Sequence, residues 1–165
     1  MNLTQPKVYV PASKWEKVCN AASLVVIAVT VLYVIRSYAS LPETIPIHFN
    51  AQGEADNWGN KATIFLLPGI SFVLFISLYF LNKVPHLFNL PVKITEENAR
   101  RIYPLARTMM AIINFQVVLM FSYATWQTIQ TAQGNAGFGV WLIIIAFIVP
   151  LGTIALFIKP MRRRQ

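Results

Sequence analysis

One polar segment, Leu41–Lys61, lies between two long apolar runs and holds most of the residues whose types suit binding or catalysis. His48, Glu54 and Asp56 fall within nine positions of one another. Imidazole and carboxylate groups are the ligands that zinc and similar ions use. The segment is therefore a candidate transition-metal site with His48 and Asp56 as ligands, although so few ligands from one short loop leave other interpretations open.

Oxygen-bearing side chains also recur at every second position from Asn50 to Asp56, which is a feature of calcium-binding loops. An EF-hand loop needs glycine at its sixth position and a bidentate glutamate at its twelfth. Counted from Asn50, the glycine is misplaced at Gly53, and Lys61 stands where the glutamate is required. Calcium binding is therefore disfavoured.

Spacing alone identifies no nucleophile with a base and an orienting group, so we predict no catalytic residues, no enzyme activity and no cofactor. One alternative is structural: Glu54 and Asp56 pair with Lys61 and Arg36, His48 bonds backbone carbonyls, and the segment is a lid. The other alternative is a ligand- or peptide-recognition surface. Its candidate residues are His48, Asn50, Gly53, Glu54, Asp56 and Lys61.

Prolines and glycines predict that this segment is an ordered cap. Pro42 and Pro46 each disfavour helix in the residue before them, and Gly53 and Gly59 permit left-handed turns on either side of the acidic residues. If the stretch between the prolines and Gly53 is extended, alternation gives it one apolar edge. That edge comprises Ile45, Ile47 and Phe49.

Composition identifies the elements that must position the cap. With 56% hydrophobic residues, 12% charged residues and a mean hydropathy of +0.53, the chain is predicted to be an integral membrane protein. A spanning helix needs about 20 apolar residues. We predict an all-α, polytopic fold over residues 1–165, a single bundle of four transmembrane helices with an ordered extracytoplasmic loop between the first two. The spans are about Val18–Tyr38, Ala62–Leu81, Thr108–Thr131 and Phe138–Ile158.

Charge asymmetry predicts the orientation. Twelve of the fourteen Lys and Arg residues precede the first span, follow the fourth, or lie between the second and third. By the positive-inside rule both termini are then cytoplasmic, and the basic tail Lys159–Arg164 is a topology anchor near anionic lipid. Thr95 is a plausible N-cap for a short interfacial helix before the third span, a surface that could dock a cytoplasmic regulator.

Polar residues inside the predicted spans are neutral, and helix-to-helix hydrogen bonds account for most of them. An ion-coupled pump usually needs an ionisable group near the middle of the membrane, so secondary transport is disfavoured. A neutral-solute channel stays open as an alternative. Pro68 and Pro150 are expected to kink the second and fourth helices or to fix their shape.

The cap also carries a recognisable motif, Pro-x-x-Ile-Pro-Ile-His-Phe-Asn-x-x-Gly-x-x-Asp over residues 42–56, followed by Lys61 and Pro68. It resembles the signature of the bacterial membrane family called domain of unknown function 1648, which the SdpI-like immunity proteins contain. The similarity continues through residues 88–98 and Tyr103. The resemblance implies a cytoplasmic-membrane protein that confers immunity to a secreted toxic peptide and passes its presence to a regulator.

The sequence thus predicts a bacterial inner-membrane protein, non-enzymatic, that recognises an envelope ligand through its outer loop. Its expected partners are the lipid bilayer, a peptide toxin or other envelope ligand, and a cytoplasmic regulator, but not nucleic acid. A membrane-embedded enzyme or metal-binding protein acting on a lipid-like substrate is the alternative from another class. The ligand, the oligomeric state and cleavage of the first helix stay open.

Overall fold

A computed structural model describes residues 5–135 and 141–163 of the chain. Within them, four helices are long and apolar enough to span a membrane. The multi-pass helical architecture predicted from composition is therefore confirmed. The helices are α1 Lys14–Tyr38, α2 Leu66–Leu81, α3 Glu96–Ala132 and α4 Trp141–Arg162.

The first helix begins before the predicted apolar window, at Lys14 instead of Val18. Ser13 is its N-cap, because the Ser13 hydroxyl accepts a 3.0 Å hydrogen bond from the backbone N–H of Glu16. Its buried positions include Glu16, Ser23, Thr30 and Ser37, which are spaced seven residues apart. Small and polar residues at this spacing let helices approach closely within a membrane, so α1 turns a polar stripe inward.

The second helix contains Pro68, for which we considered a kink. The chain is a 3₁₀ helix over Lys61–Phe65 and becomes an α-helix at Leu66. Pro68 therefore lies in the first turn of α2, where an N–H without an intrahelical acceptor is normal. Proline here helps to fix the start of the α-helix.

The third helix corrects the prediction of a separate interfacial helix. Thr95 is the N-cap as expected, and it forms a capping box with Asn98, but the helix continues through Pro104 into the membrane span without a break. At about 1.5 Å per residue, its 37 residues extend about 55 Å, against a hydrocarbon core of about 30 Å. Its first turns therefore lie beyond the hydrocarbon core.

The fourth helix was predicted to start at Phe138, a position outside the described residues. From Trp141 the helix runs through Pro150 and Pro160 to Arg162. It packs against α3, and Gln116 of α3 donates a 2.7 Å hydrogen bond to the hydroxyl of Thr153. Exposed apolar side chains dominate its described surface.

The helix α3 contacts each of the other three helices. It runs parallel to α1. The hydroxyl oxygens of Ser13 and Thr108 lie 2.9 Å apart at one end of the helix pair, and Gln130 donates a 3.0 Å hydrogen bond to the Tyr33 hydroxyl towards the other end. We call the end at residues 41–61 the cap end. The end that holds the start of α1 and residues 83–107 is the basic end.

Most hydroxyl groups in the spans do not form the predicted hydrogen bonds between helices. Thr30, Ser77, Thr125 and Thr128 donate to the carbonyl four residues earlier in their own helix. Such local bonds satisfy a hydroxyl without a neighbouring helix. Asn114 does bridge helices as predicted, because its amide donates a 3.1 Å hydrogen bond to the carbonyl of Phe75.

An ion pair is buried at the basic end, just outside the predicted spans. Arg107 donates a 2.7 Å hydrogen bond to a carboxylate oxygen of Glu16, and both side chains are at least nine-tenths buried. Arg107 also donates to the carbonyl of Val10, and Asn82 donates to the carbonyl of Arg107. The Arg107 side chain thus joins the residues before α1 and α1 itself to α3, and its backbone carbonyl holds Asn82 at the end of α2.

Candidate functional site

The cap is a two-stranded antiparallel hairpin of β1 Thr44–Phe49 and β2 Ala55–Asn60. The prediction that the cap is ordered is confirmed. The prediction that Ile45, Ile47 and Phe49 form one apolar edge is wrong. Ile45 is buried, whereas Ile47 is 47% exposed, because the register shifts between Pro46 and His48 and again before Phe49. A bulge adds a residue to one strand and changes the face that the next side chains occupy.

The hairpin is fixed to the bundle through its base. Ile45 packs in a buried cluster with Val34 of α1, Ile64 of the 3₁₀ helix and Ile129 of α3. Because those contacts come from three separate segments, the hairpin is held in one position over the helix ends. The base of the hairpin is therefore held against the bundle.

Asn50 and Gly53, two of the predicted ligand-binding residues, build the hairpin turn. The Asn50 side-chain oxygen accepts 2.9 Å hydrogen bonds from the backbone N–H groups of Gln52 and Glu54. Gly53 has a φ of 83°, in the left-handed region that favours glycine. The Asn50 amide donates at 3.2 Å to the carboxylate of Glu54. The Asn-x-x-Gly part of the motif therefore has a conformational role.

His48 and Asp56, the two predicted metal ligands, meet across the strands. His48 Nδ1 lies 2.5 Å from Asp56 Oδ1, and both side chains are solvent-accessible, at 65% and 43%. A carboxylate on one ring nitrogen orients an imidazole and selects its tautomer. The pair therefore presents His48 Nε2 as the ring nitrogen that an incoming group can reach.

Lys61 lies apart from these two residues. Its ammonium donates at 2.9 Å to Glu43 and sits 5.2 Å from the centre of the Tyr38 ring, and its backbone N–H bonds the carbonyl of Glu43. The structural alternative, in which Glu54 and Asp56 pair with Lys61 and Arg36, is wrong, because Lys61 pairs with Glu43, Asp56 with His48, and Glu54 accepts from Asn50.

A cavity of about 600 Å³ lies between the hairpin and the helices. The strand β1 from Ile45 to Phe49, together with Asn50 and Gly53, forms one wall. The start of α2 forms the second, and Ala124 and Thr128 of α3 form the third. Its full lining is Ile45, Pro46, Ile47, His48, Phe49, Asn50, Gly53, Thr63, Ile64, Leu66, Leu67, Ile70, Ala124 and Thr128.

This lining is almost wholly apolar, and its two threonine hydroxyls donate hydrogen bonds to backbone carbonyls. Thr63 donates to the carbonyl of Asn60, and Thr128 to that of Ala124. His48 is the lining residue with an ionisable side chain. An occupant that fits would have an apolar portion inside and a polar group at His48.

Sequence reasoning missed the apolar walls of this cavity. Ala124 and Thr128 are spaced four residues apart, so they share one face of α3, but that spacing also fits ordinary helix packing. The cavity exists because residues about 80 positions away in the chain fold onto that face, with Ile45 touching the cluster that contains Ile129. No local pattern reports such a contact.

The structure brings the two predicted metal ligands, His48 and Asp56, together. Across residues 5–135 and 141–163, no group of three or more His, Cys, Asp and Glu side chains is placed to hold one ion. Glu54, which we had counted with His48 and Asp56, bonds Asn50 at the turn. A protein-held zinc site usually has three or four protein ligands.

Comparison with known proteins identifies the family. Residues 25–72 match the family described as "Domain of unknown function (DUF1648)". This chain carries a DUF1648 domain. The domain spans the second half of α1, the hairpin and the first part of α2, so it supplies two walls of the cavity. The α3 wall, with Ala124 and Thr128, lies beyond the matched residues.

A curated relative carries no functional description. The chain is 31% identical to an uncharacterized protein of Archaeoglobus fulgidus, in an alignment that covers 66% of this chain and 66% of the relative. The matched region is thus slightly less than two thirds of the relative's length. No solved structure matches the chain.

Proposed function

We propose that this DUF1648 protein is a non-enzymatic receptor of the cell envelope, which recognises an amphipathic ligand between its hairpin and α3. The observation that carries the proposal is the cavity, since an apolar space with an accessible imidazole at its wall has the composition of a site for an amphipathic ligand. The resemblance to SdpI-like immunity proteins favours a peptide as the ligand. In that case the protein confers immunity or conveys a signal.

The cavity walls explain what such a ligand must contain. Ile47, Leu66 and Ile70 are cavity residues that are also substantially exposed, at 47%, 60% and 45%. An apolar side chain or acyl group that reaches the protein along the bilayer would meet these residues first. His48 and Asp56 then offer a hydrogen-bonding and partly anionic contact to the ligand's polar group.

The orientation in this proposal puts the hairpin outside the cytoplasmic membrane. It is supported by the distribution of positive charge, since twelve of the fourteen Lys and Arg residues precede the first span, lie between the second and third, or follow the fourth. A cysteine at exposed Gln52, labelled by a membrane-impermeant maleimide in intact cells, tests the orientation. Labelling only after the cells are opened would contradict it.

Site-specific photocrosslinking tests ligand recognition. A benzophenone amino acid placed at Ile47 is expected to form an adduct of discrete mass in cells, whereas the same group at Leu156, which is 76% exposed on α4, should capture only lipid. Ala124→Leu fills the cavity and should abolish the Ile47 adduct. Ala155→Leu makes the same change at an exposed position and should leave it intact. Identical lipid adducts at both positions would refute recognition by the cavity.

A metal centre is the second candidate, and the orienting contact between Asp56 and His48 is the observation that favours it. If the pair holds an ion, elemental analysis of protein purified without chelators should show stoichiometric metal. His48→Ala and Asp56→Ala should each remove it, and Glu43→Ala should not. Metal below about a tenth of an equivalent in the native protein argues against this candidate.

A further inference from the structure

We propose that the basic end of the bundle is a binding surface for anionic phospholipid headgroups, independent of the ligand proposed for the cap. Ten cationic side chains are exposed there, and the exposed carboxylates are Glu96 and Glu97. We call the ten the basic collar. They are Lys7, Lys14, Lys17, Lys83, Lys93, Arg100, Arg101, Lys159, Arg162 and Arg163.

The collar residues form no ion pairs within the described part of the chain. Within residues 5–135 and 141–163, the ion pairs are His48 with Asp56, Lys61 with Glu43 and Arg107 with Glu16. None of them includes a collar residue. Like charges gathered on one surface raise its potential and repel one another, so phosphate groups at the same depth would lower the free energy of the folded protein.

The start of α1 shows the imbalance most clearly. Lys14 and Lys17 lie in the first turn, where the helix dipole disfavours cations. Glu16 is the acidic residue of that turn, but its carboxylate is buried against Arg107. An external anion beside Lys14 and Lys17 would therefore satisfy both the lysines and the positive end of the helix.

Exposed aromatic and apolar side chains place this surface at a membrane interface. Trp15 is 65% exposed between the two lysines, Tyr9 is 89% exposed, and Leu87 is 64% exposed near Lys83. Tryptophan and tyrosine favour the headgroup region, where their rings are partly apolar and partly hydrated. A nucleic acid or an acidic soluble protein would leave these side chains uncovered, so phospholipid is the partner that fits both features.

Lipid selectivity measured by electron spin resonance tests the proposal. The protein is reconstituted in phosphatidylcholine vesicles with a spin-labelled phosphatidylglycerol or a spin-labelled phosphatidylcholine as the probe. One cation near an anionic surface is worth about 1 kcal/mol, or about fivefold in association. We expect phosphatidylglycerol to associate with the protein at least about fivefold more strongly at low salt, and the preference to shrink towards one at about 1 M salt.

Matched variants locate the effect. Lys14→Gln with Lys17→Gln should reduce the phosphatidylglycerol preference severalfold, whereas Arg36→Gln removes an exposed cation near the cap end and should not change it. Equal association of the two lipid probes at low salt would overturn the proposal. So would tight binding of a transfer-RNA probe to the reconstituted protein with no lipid preference, since the collar would then serve nucleic acid.

Discussion

The two ends of the bundle differ in how their polar and charged side chains are paired. At the cap end, polar and charged residues close in sequence pair with one another on an exposed hairpin, as His48 does with Asp56 eight positions later. At the basic end, Arg107 and Glu16 pair although 91 positions separate them, and they are buried. Local pairing gives a surface that presents polar groups outward, whereas the distant pair joins helices.

The comparison separates two kinds of polar residue. Removing a charge from an exposed pair changes little, because water replaces the partner. Removing one member of a buried pair leaves an uncompensated charge in a medium of low dielectric constant. The exposed pair at the cap end should therefore tolerate changes in charge that the buried pair at the basic end does not.

The sharpest test of this difference is Arg107→Met. Burying Glu16 without its partner is expected to reduce the free energy of unfolding by about 3–5 kcal/mol, measured by denaturation in mild detergent. The double variant Glu16→Leu with Arg107→Met removes both charges and should lose clearly less. A loss below about 1 kcal/mol for the single variant would mean that the pair is open to water.

Loss of packing at the base of the hairpin should rank next. Ile45→Ala empties a position that is 1% exposed, and the free energy of unfolding should fall by about 2–4 kcal/mol. Ile47→Ala is the matched control in the same strand, since its side chain is 47% exposed. Equal losses for the two variants would contradict the bulged register that separates their environments.

The hairpin turn should show a smaller effect. Gly53→Ala places a Cβ at a φ of 83°, which is expected to cost about 1–2 kcal/mol in thermal stability. Gly152→Ala serves as the control, because a Cβ at that helical position meets nothing within 4 Å. Alanine improves helix propensity, so this control should be neutral or slightly stabilising. If both variants behave alike, strain at the turn is not important.

The smallest effect on stability is expected at the exposed pair. Asp56→Asn should change the free energy of unfolding by less than about 1 kcal/mol, since the pair is accessible to solvent. It should nevertheless abolish the Ile47 crosslink if Asp56 and His48 bind the ligand's polar group. A variant that no longer accumulates in the membrane would instead show that Asp56 is structural.

The same contrast explains how much could be predicted from the sequence. The spans follow from apolar runs, and the ordered cap follows from Pro42, Pro46 and Gly53, because these signals are local. The motif at His48 and Asp56 was likewise visible, since its members lie on one hairpin. The Asn50 contacts show that part of this motif shapes the turn.

Features made by distant contacts were not predicted. Arg107 and Glu16 lie outside the predicted apolar windows, and no local pattern indicates that packing brings them together. The cavity needed Ala124 and Thr128 to meet β1. The continuity of α3 was missed because its first turns carry Glu96, Glu97 and several arginines, which resemble a surface connection.

Because α3 is continuous, one helix connects the two ends of the bundle. Thr128 lines the cavity and Arg107 anchors the basic end, so 21 residues of one unbroken helix separate them, or about 32 Å at the usual rise per residue. The cavity and the buried ion pair of Arg107 and Glu16 are therefore built on one continuous element, although they lie at opposite ends of the bundle.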